Sequence, residues 1–95
     1  MLTSSELLSL FKKANGNCSD YRAADLLGVS RQMVSKVKNQ KNIFGEEIAR
    51  RAAKVAGIDV EYAVACIHAE AHRNDGLFPL WMNICRKLEP HRKAA

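Results

Sequence analysis

Residues Asp20 to Asn39, DYRAADLLGVSRQMVSKVKN, decide the fold. Leu26 and Leu27 close an apolar helix face. Gly28 follows where a residue without a Cβ takes the left-handed conformation that ends a helix. Val29 tucks under that corner. Ser30 is a favoured N-cap, its hydroxyl placed to accept from the amide of Gln32 or Met33. The stretch predicts two short helices, Asp20 to Leu27 and about Arg31 to Asn39, meeting at a tight turn.

Winding the second helix at about 100° per residue puts Met33, Val34 and Val37 in one arc of roughly a third of the circumference. Arg31, Gln32, Ser35, Lys36 and Asn39 fall opposite. That exposed side offers an amide, a hydroxyl and cationic donors, and no acidic residue occurs between Asp25 and Glu46. Such a mix suits base edges and phosphates in a major groove. Polar residues opposite apolar ones also describe any surface helix. What adds weight is that small Ala24, Gly28, Ser30, Val34 and Val37 sit at the offsets two crossing helices need.

This stretch resembles the helix-turn-helix of the Cro/XRE family, the lambda-repressor-like domains of phage and bacterial regulators, and the resemblance runs from about Leu7 to Gly57. It implies a five-helix DNA-binding domain in which Arg31 and Gln32, with Lys36 one turn on, face bases. Asn39 matches a position that commonly holds phosphate, as does Lys41 in the loop beyond. The family often has Gly after that Asn, where this chain has Gln40.

Ninety-five residues, 47% of them hydrophobic, fit one domain with a core that needs no metal or disulfide. No apolar run approaches the ~20 residues of a membrane span, and the N-terminus lacks the regions of a secretory signal, so the expected location is cytoplasmic. Cys18, Cys66 and Cys85 are an odd number at irregular spacing and read as free thiols. The net charge of +5 is segregated: residues 1–58 hold ten Lys/Arg against five Asp/Glu, whereas residues 59–95 hold five of each. A basic excess confined to the reading half is what attraction to phosphate requires.

Outside that centre, Thr3 opens a first helix with Glu6 as capping-box partner and Leu2 and Leu7 as a staple. Leu7, Leu10, Phe11 and Ala14 form its buried stripe, Lys12 and Lys13 point outward, and Asn15 and Gly16 end it. Ser19 caps the second helix. Arg22 near its start is either a contact to the DNA backbone or an ion-pair partner of Asp25. In the loop NQKNIFG, Ile43 and Phe44 pin the chain to the core. A fourth helix runs from about Glu46 to Ala56, with Ile48, Ala52 and Val55 inward and Arg50, Arg51 and Lys54 outward. Asp59 caps a fifth that reaches Arg73.

Pro79 suits the first turn of a sixth helix that ends at Leu88, before Pro90, and the tail HRKAA is expected to fray. The domain proper is then residues 1–73, with a helical extension over 74–95, a layout similar to small phage or prophage regulators with an added C-terminal helix. Leu77, Trp81, Ile84 and Leu88 form an apolar stripe that needs a cover, either the fifth helix or a twin in a homodimer.

His68 and His72 share a face, with Cys66 and Cys85 elsewhere, but their spacing matches no structural zinc site, and Glu70 reads as a partner for Arg73 or His72. No triad order, carboxylate pair or Gly-rich phosphate loop is present, so neither an enzyme nor a cofactor or small-molecule ligand is expected. The sequence reads as an all-α transcriptional regulator, most simply a repressor, binding double-stranded operator DNA as a dimer. Arg31, Gln32 and Lys36 would read bases, while Ser35, Asn39, Lys38 and Lys41 would hold phosphates. An antitoxin of a toxin-antitoxin pair and a protein-interaction module that does not bind DNA are the alternatives from other classes.

Overall fold

Thr3 initiates the first helix, α1 (Ser4–Ala14), by accepting a hydrogen bond from Glu6 N at 3.1 Å. A computed structural model describes residues 1–94 of the chain. Five further helices follow: α2 (Asp20–Leu27), α3 (Arg31–Lys38), α4 (Glu46–Ala56), α5 (Val60–Ala71) and α6 (Phe78–Leu88), with a 3-10 turn over Glu89–His91. Among the described residues there is no strand, and no helix is long and apolar enough to cross a membrane.

The helix ends follow local chemistry. Ser19 accepts from Arg22 N, Ser30 from Met33 N at 3.0 Å and Asp59 from Tyr62 N at 3.0 Å, each satisfying an amide the first turn leaves unpaired. Gly28 and Gly57 end α2 and α4 at φ 71° and 72°, a conformation that strains residues with a Cβ. α3 stops at Lys38 with Asn39 as its C-cap, and α5 ends at Ala71, short of the expected Arg73.

Three helix faces are rotated from the expected ones. In α1 the buried apolar residues are Leu7, Leu8 and Phe11, while Ala14 is exposed. In α2, Ala23, Ala24 and Leu27 face inward at helical spacing, which turns Leu26 outward at 41% exposure. In α4 the inward face is Ala49, Ala52 and Ala53, with Ile48 at its margin, and Val55 is half exposed. Three alanines let α4 lie close between α1 and α5, the two helices it chiefly contacts. A β-branched side chain on that face would hold them apart.

The core gathers Leu2, Leu7, Leu8, Leu27, Val34, Val37, Phe44, Tyr62 and Cys66, all fully or almost fully buried. Phe44 carries the α3–α4 loop into it and Ile43 is half buried. Ser4 is the one buried polar residue among those described. Its hydroxyl accepts from Phe44 N at 3.1 Å, and its own amide donates to Glu70 Oε1 at 2.9 Å. Glu70 therefore serves α1, not Arg73 or His72.

α6 folds back on α5. Trp81 stacks on His68 with ring centroids 4.4 Å apart and planes 14° from parallel, and on His72 at 6.3 Å and 8°. Ile84 and Leu88 pack against the core and Cys85 is buried within it, whereas Leu77 precedes the helix and is half exposed. The apolar stripe is thus covered from within the chain except at Leu77. Cys66 and Cys85 are neighbours, and burial beside Cys66 pushes the Cys85 thiol up to about 12. Cys66 Sγ also accepts from Leu2 N at 3.3 Å. The buried Tyr62 hydroxyl has no hydrogen-bond partner, and burial beside Glu89 and Cys66 pushes its phenol above the usual range.

Residues 91–94 of the tail are held against the α4–α5 junction rather than frayed, and Ala95 lies outside the described residues. Asp59 N donates to Arg92 O at 2.7 Å and Ala94 N to Gly57 O at 3.0 Å, around an antiparallel bridge between Ile58 and Lys93. The α4–α5 junction leaves peptide groups outside any helix, and the extended tail pairs with them.

Candidate nucleic-acid interface

α3 presents its polar side to solvent because Val34 and Val37 are fully buried beneath it and Met33 is half buried. Arg31, Gln32, Ser35, Lys36, Lys38, Asn39 and Lys41 are all exposed, on this helix and its outgoing loop. The side chains of Gln32, Ser35 and Lys36 make no hydrogen bond or ion pair within the described residues. They are the free donors and acceptors at the centre of the face.

The residues around them are held by specific partners. The Arg31 guanidinium lies over the Tyr21 ring of α2, 4.0 Å from its centroid. The cation–π contact holds the Arg31 head beside α2, and its N–H groups make no hydrogen bond within the described residues. Arg22 is paired with Asp25 at 3.0 Å, one of the two roles open to it from sequence. Asp20 at the start of α2 takes two ammonium groups, Lys12 from α1 and Lys38 from α3 at 3.1 Å. The Lys12 ammonium above all, with Lys38, holds the Asp20 carboxyl below the usual carboxylate range. Lys12 is thereby half buried, not outward-facing, and Lys38 is engaged within the protein.

Beyond α3, Asn39 Nδ2 donates to Ser35 O at 2.9 Å, and Lys41 N donates to Lys36 O at 2.8 Å. Gln40 adopts φ 59°, the left-handed conformation that a glycine takes most readily. Asn42 steadies the loop by donating to Met33 Sδ at 3.5 Å and accepting from Ile43 N at 2.8 Å. Lys41 is left without an ion pair among the described residues.

The turn between α2 and α3 has a support that local sequence grammar does not show. Arg51 of α4 donates to Leu27 O at 3.2 Å and pairs with Glu47 at 2.9 Å, so it staples the last carbonyl of α2 instead of only facing solvent. Its Nη1 lies 3.6 Å from where a Cβ on Gly28 would stand. A Cβ there would sit in ordinary contact with the staple, so what a side chain costs at this position is backbone strain at φ 71°.

The histidines serve packing. His68 and His72 stack on Trp81, and His72 Nδ1 lies 2.7 Å from Asp75 Oδ2. Among the described residues no group of three His, Cys, Asp or Glu side chains is placed to hold a metal ion.

The polar face of α3, the Tyr21-backed Arg31 and the loop carrying Lys41 therefore form one continuous surface. Arg22 and Lys38 sit at its edge with their charges paired. No family model, curated protein or solved structure matches the chain.

Proposed function

We propose that the protein is a sequence-specific DNA-binding transcriptional regulator of the lambda-repressor-like kind, a five-helix reading domain with α6 added. The observation that carries this reading is the outer face of α3: amide, hydroxyl and cationic groups over a buried valine pair, with both nearby carboxylates, Asp20 and Asp25, engaged by basic side chains. With α3 in a major groove, Arg31, Gln32 and Lys36 meet base edges. Ser35, Asn39 and Lys41 meet the sugar-phosphate backbone, which determines affinity and salt dependence more than sequence choice.

One small module of this kind binds weakly, so the functional form is a homodimer on a palindromic operator in the cytoplasm, with half-sites about one helical turn apart. Repression follows from occupying a promoter. Because Trp81, Ile84 and Leu88 already pack on the protein's own core, the surface α6 leaves for a partner is at its start, where Leu77 and Leu80 are about half exposed. That same apolar pair supports the second reading, in which α6 grips a different protein, as an antitoxin would.

The test is fluorescence anisotropy of the purified chain on duplex from its own promoter region and on random duplex, at two salt concentrations. The expected result is salt-dependent binding with at least roughly a thousandfold preference for the promoter, and a loss of about 1 to 3 kcal/mol on that duplex for Gln32→Ala. Salt-insensitive or absent binding overturns the proposal and moves the protein-partner reading forward.

A further inference from the structure

The C-terminal end of α5 and the α3–α4 loop are far apart in sequence, yet they line one shallow surface groove of about 270 Å³. Gln40, Lys41 and Asn42 stand on one side, and Glu70, Arg73 and Asn74 on the other. We propose that Arg73 is a second phosphate-binding point, receiving the DNA backbone as it leaves Lys41. The inference rests on the DNA-binding reading of α3 and extends its footprint to the turn after α5, beyond the stretch that the sequence resemblance covers.

Three observations carry it. First, Arg73 and Lys41 are exposed, and neither is in an ion pair among the described residues, unlike Arg22 and Lys38 at the opposite edge. Second, the carboxylates that would ordinarily neutralise Arg73 are engaged elsewhere. Glu70 Oε1 accepts from Ser4 N at 2.9 Å, and Asp75 accepts from Leu77 N at 2.8 Å and lies 2.7 Å from His72 Nδ1. Arg73 is thus left without an ion pair over a groove that also holds the amides of Gln40, Asn42 and Asn74 and the single carboxylate of Glu70. Two cations against one carboxylate leave a net positive charge, and with the amides they match a phosphodiester, which brings one negative charge and several acceptor oxygens.

Third, Lys41 links the two surfaces: it lines the groove, and its amide donates to Lys36 O, tying the loop to the last turn of α3. On this proposal the backbone of a duplex seated on α3 passes from Lys36 by Lys41 to Arg73. Glu70 is the one acidic lining residue, and its bond to α1 restrains it from swinging across to the guanidinium.

The experiment is the salt dependence of binding to promoter and random duplex between about 50 and 200 mM salt for wild type, Arg73→Ala, Arg73→Lys, Lys41→Ala and Arg86→Ala, after each melts like wild type. Each lost phosphate contact lowers the log–log slope by about 0.9, equivalent to roughly 3.5-fold less affinity loss over that range. The expected result is that Arg73→Ala and Lys41→Ala each flatten the slope by that amount on both duplexes, while Arg73→Lys and Arg86→Ala keep the wild-type slope. A wild-type slope for Arg73→Ala beside a flattened one for Lys41→Ala overturns the Arg73 contact and leaves the α3 reading intact. Absence of salt-dependent binding by the wild type overturns both.

Discussion

Asp20 joins three helices through one carboxylate, and its replacement by Asn separates stability from binding. The Lys38 pair, at 3.1 Å with side chains 57% and 39% exposed, sits in the range of about 0.2 to 1 kcal/mol for solvent-screened pairs. The Lys12 pair is less exposed on the lysine side, at 26%, and belongs near the top of that range of about 1 kcal/mol. A negative charge in the first turn of α2 adds about 0.3 to 1 kcal/mol through the helix dipole. Because Asp20 is over a third exposed, screening reduces the total to about 1.5 kcal/mol, a fall in Tm of roughly 6 to 12 °C for a domain of this size.

The pH dependence follows from the lowered carboxyl. Its stabilisation is fully present above the unfolded value of 3.8 and is lost as pH falls through the still lower folded value. Melting curves of wild type and Asp20→Asn by circular dichroism, from pH 7 down to the acid limit, should show the gap closing below that point. A gap that persists unchanged under acid, or no gap at neutral pH, refutes the electrostatic account. The substitution also releases Lys38 on the edge of the reading face, so the salt slope of DNA binding should steepen by about one unit even as the protein becomes less stable.

Two other perturbations test parts of the fold. Trp81→Ala removes the stack on His68 and leaves a void between α5 and α6, so it should cost about 2 to 3 kcal/mol in urea unfolding with no change in mass by sedimentation; lower mass at unchanged stability would make α6 an interface instead. Gln40→Gly relieves a left-handed residue at the cost of a more flexible unfolded chain, so it should raise stability by about 0.5 kcal/mol, and a loss would contradict the backbone conformation assigned to position 40.

The order of elements was readable because helix ends are written in adjacent residues. Ser19, Ser30, Gly28, Asp59 and Gly57 each act within one turn of chain, and each stands at a boundary of the structure. Helix faces were less legible, since Leu26 and Val55 are as apolar as the residues beside them. Which neighbour turns inward depends on how closely α4 approaches, and its alanines set that. Among the proposed contact residues, the exposed side of α3 followed from its period, but the charge state of the edge did not. Lys38 and Lys41 look alike in sequence. Only the convergence of α1, α2 and α3 on Asp20 distinguishes a paired ammonium from a free one. The Arg51 staple, the Trp81 stack and the annealed tail join residues distant in the chain, and no local pattern announces them.

Ser4 has a consequence for the birth of the protein. Its amide partner, Glu70, lies 66 residues downstream, which at ribosomal speeds means roughly 3 to 13 s of synthesis between the two. During that interval α2 and α3 can already meet, since their contacts are local, and α1 can lean on α3 and later α4; the Ser4 hydroxyl finds Phe44 N, but the Ser4 amide still lacks its acceptor. α1 packs chiefly on α4 and α3, so its apolar face is sheltered once α4 has emerged, whereas the amides of Leu2 and Ser4 wait for Cys66 and Glu70 of α5. The nascent chain thus builds its α2–α3 unit early and pins the start of α1 last.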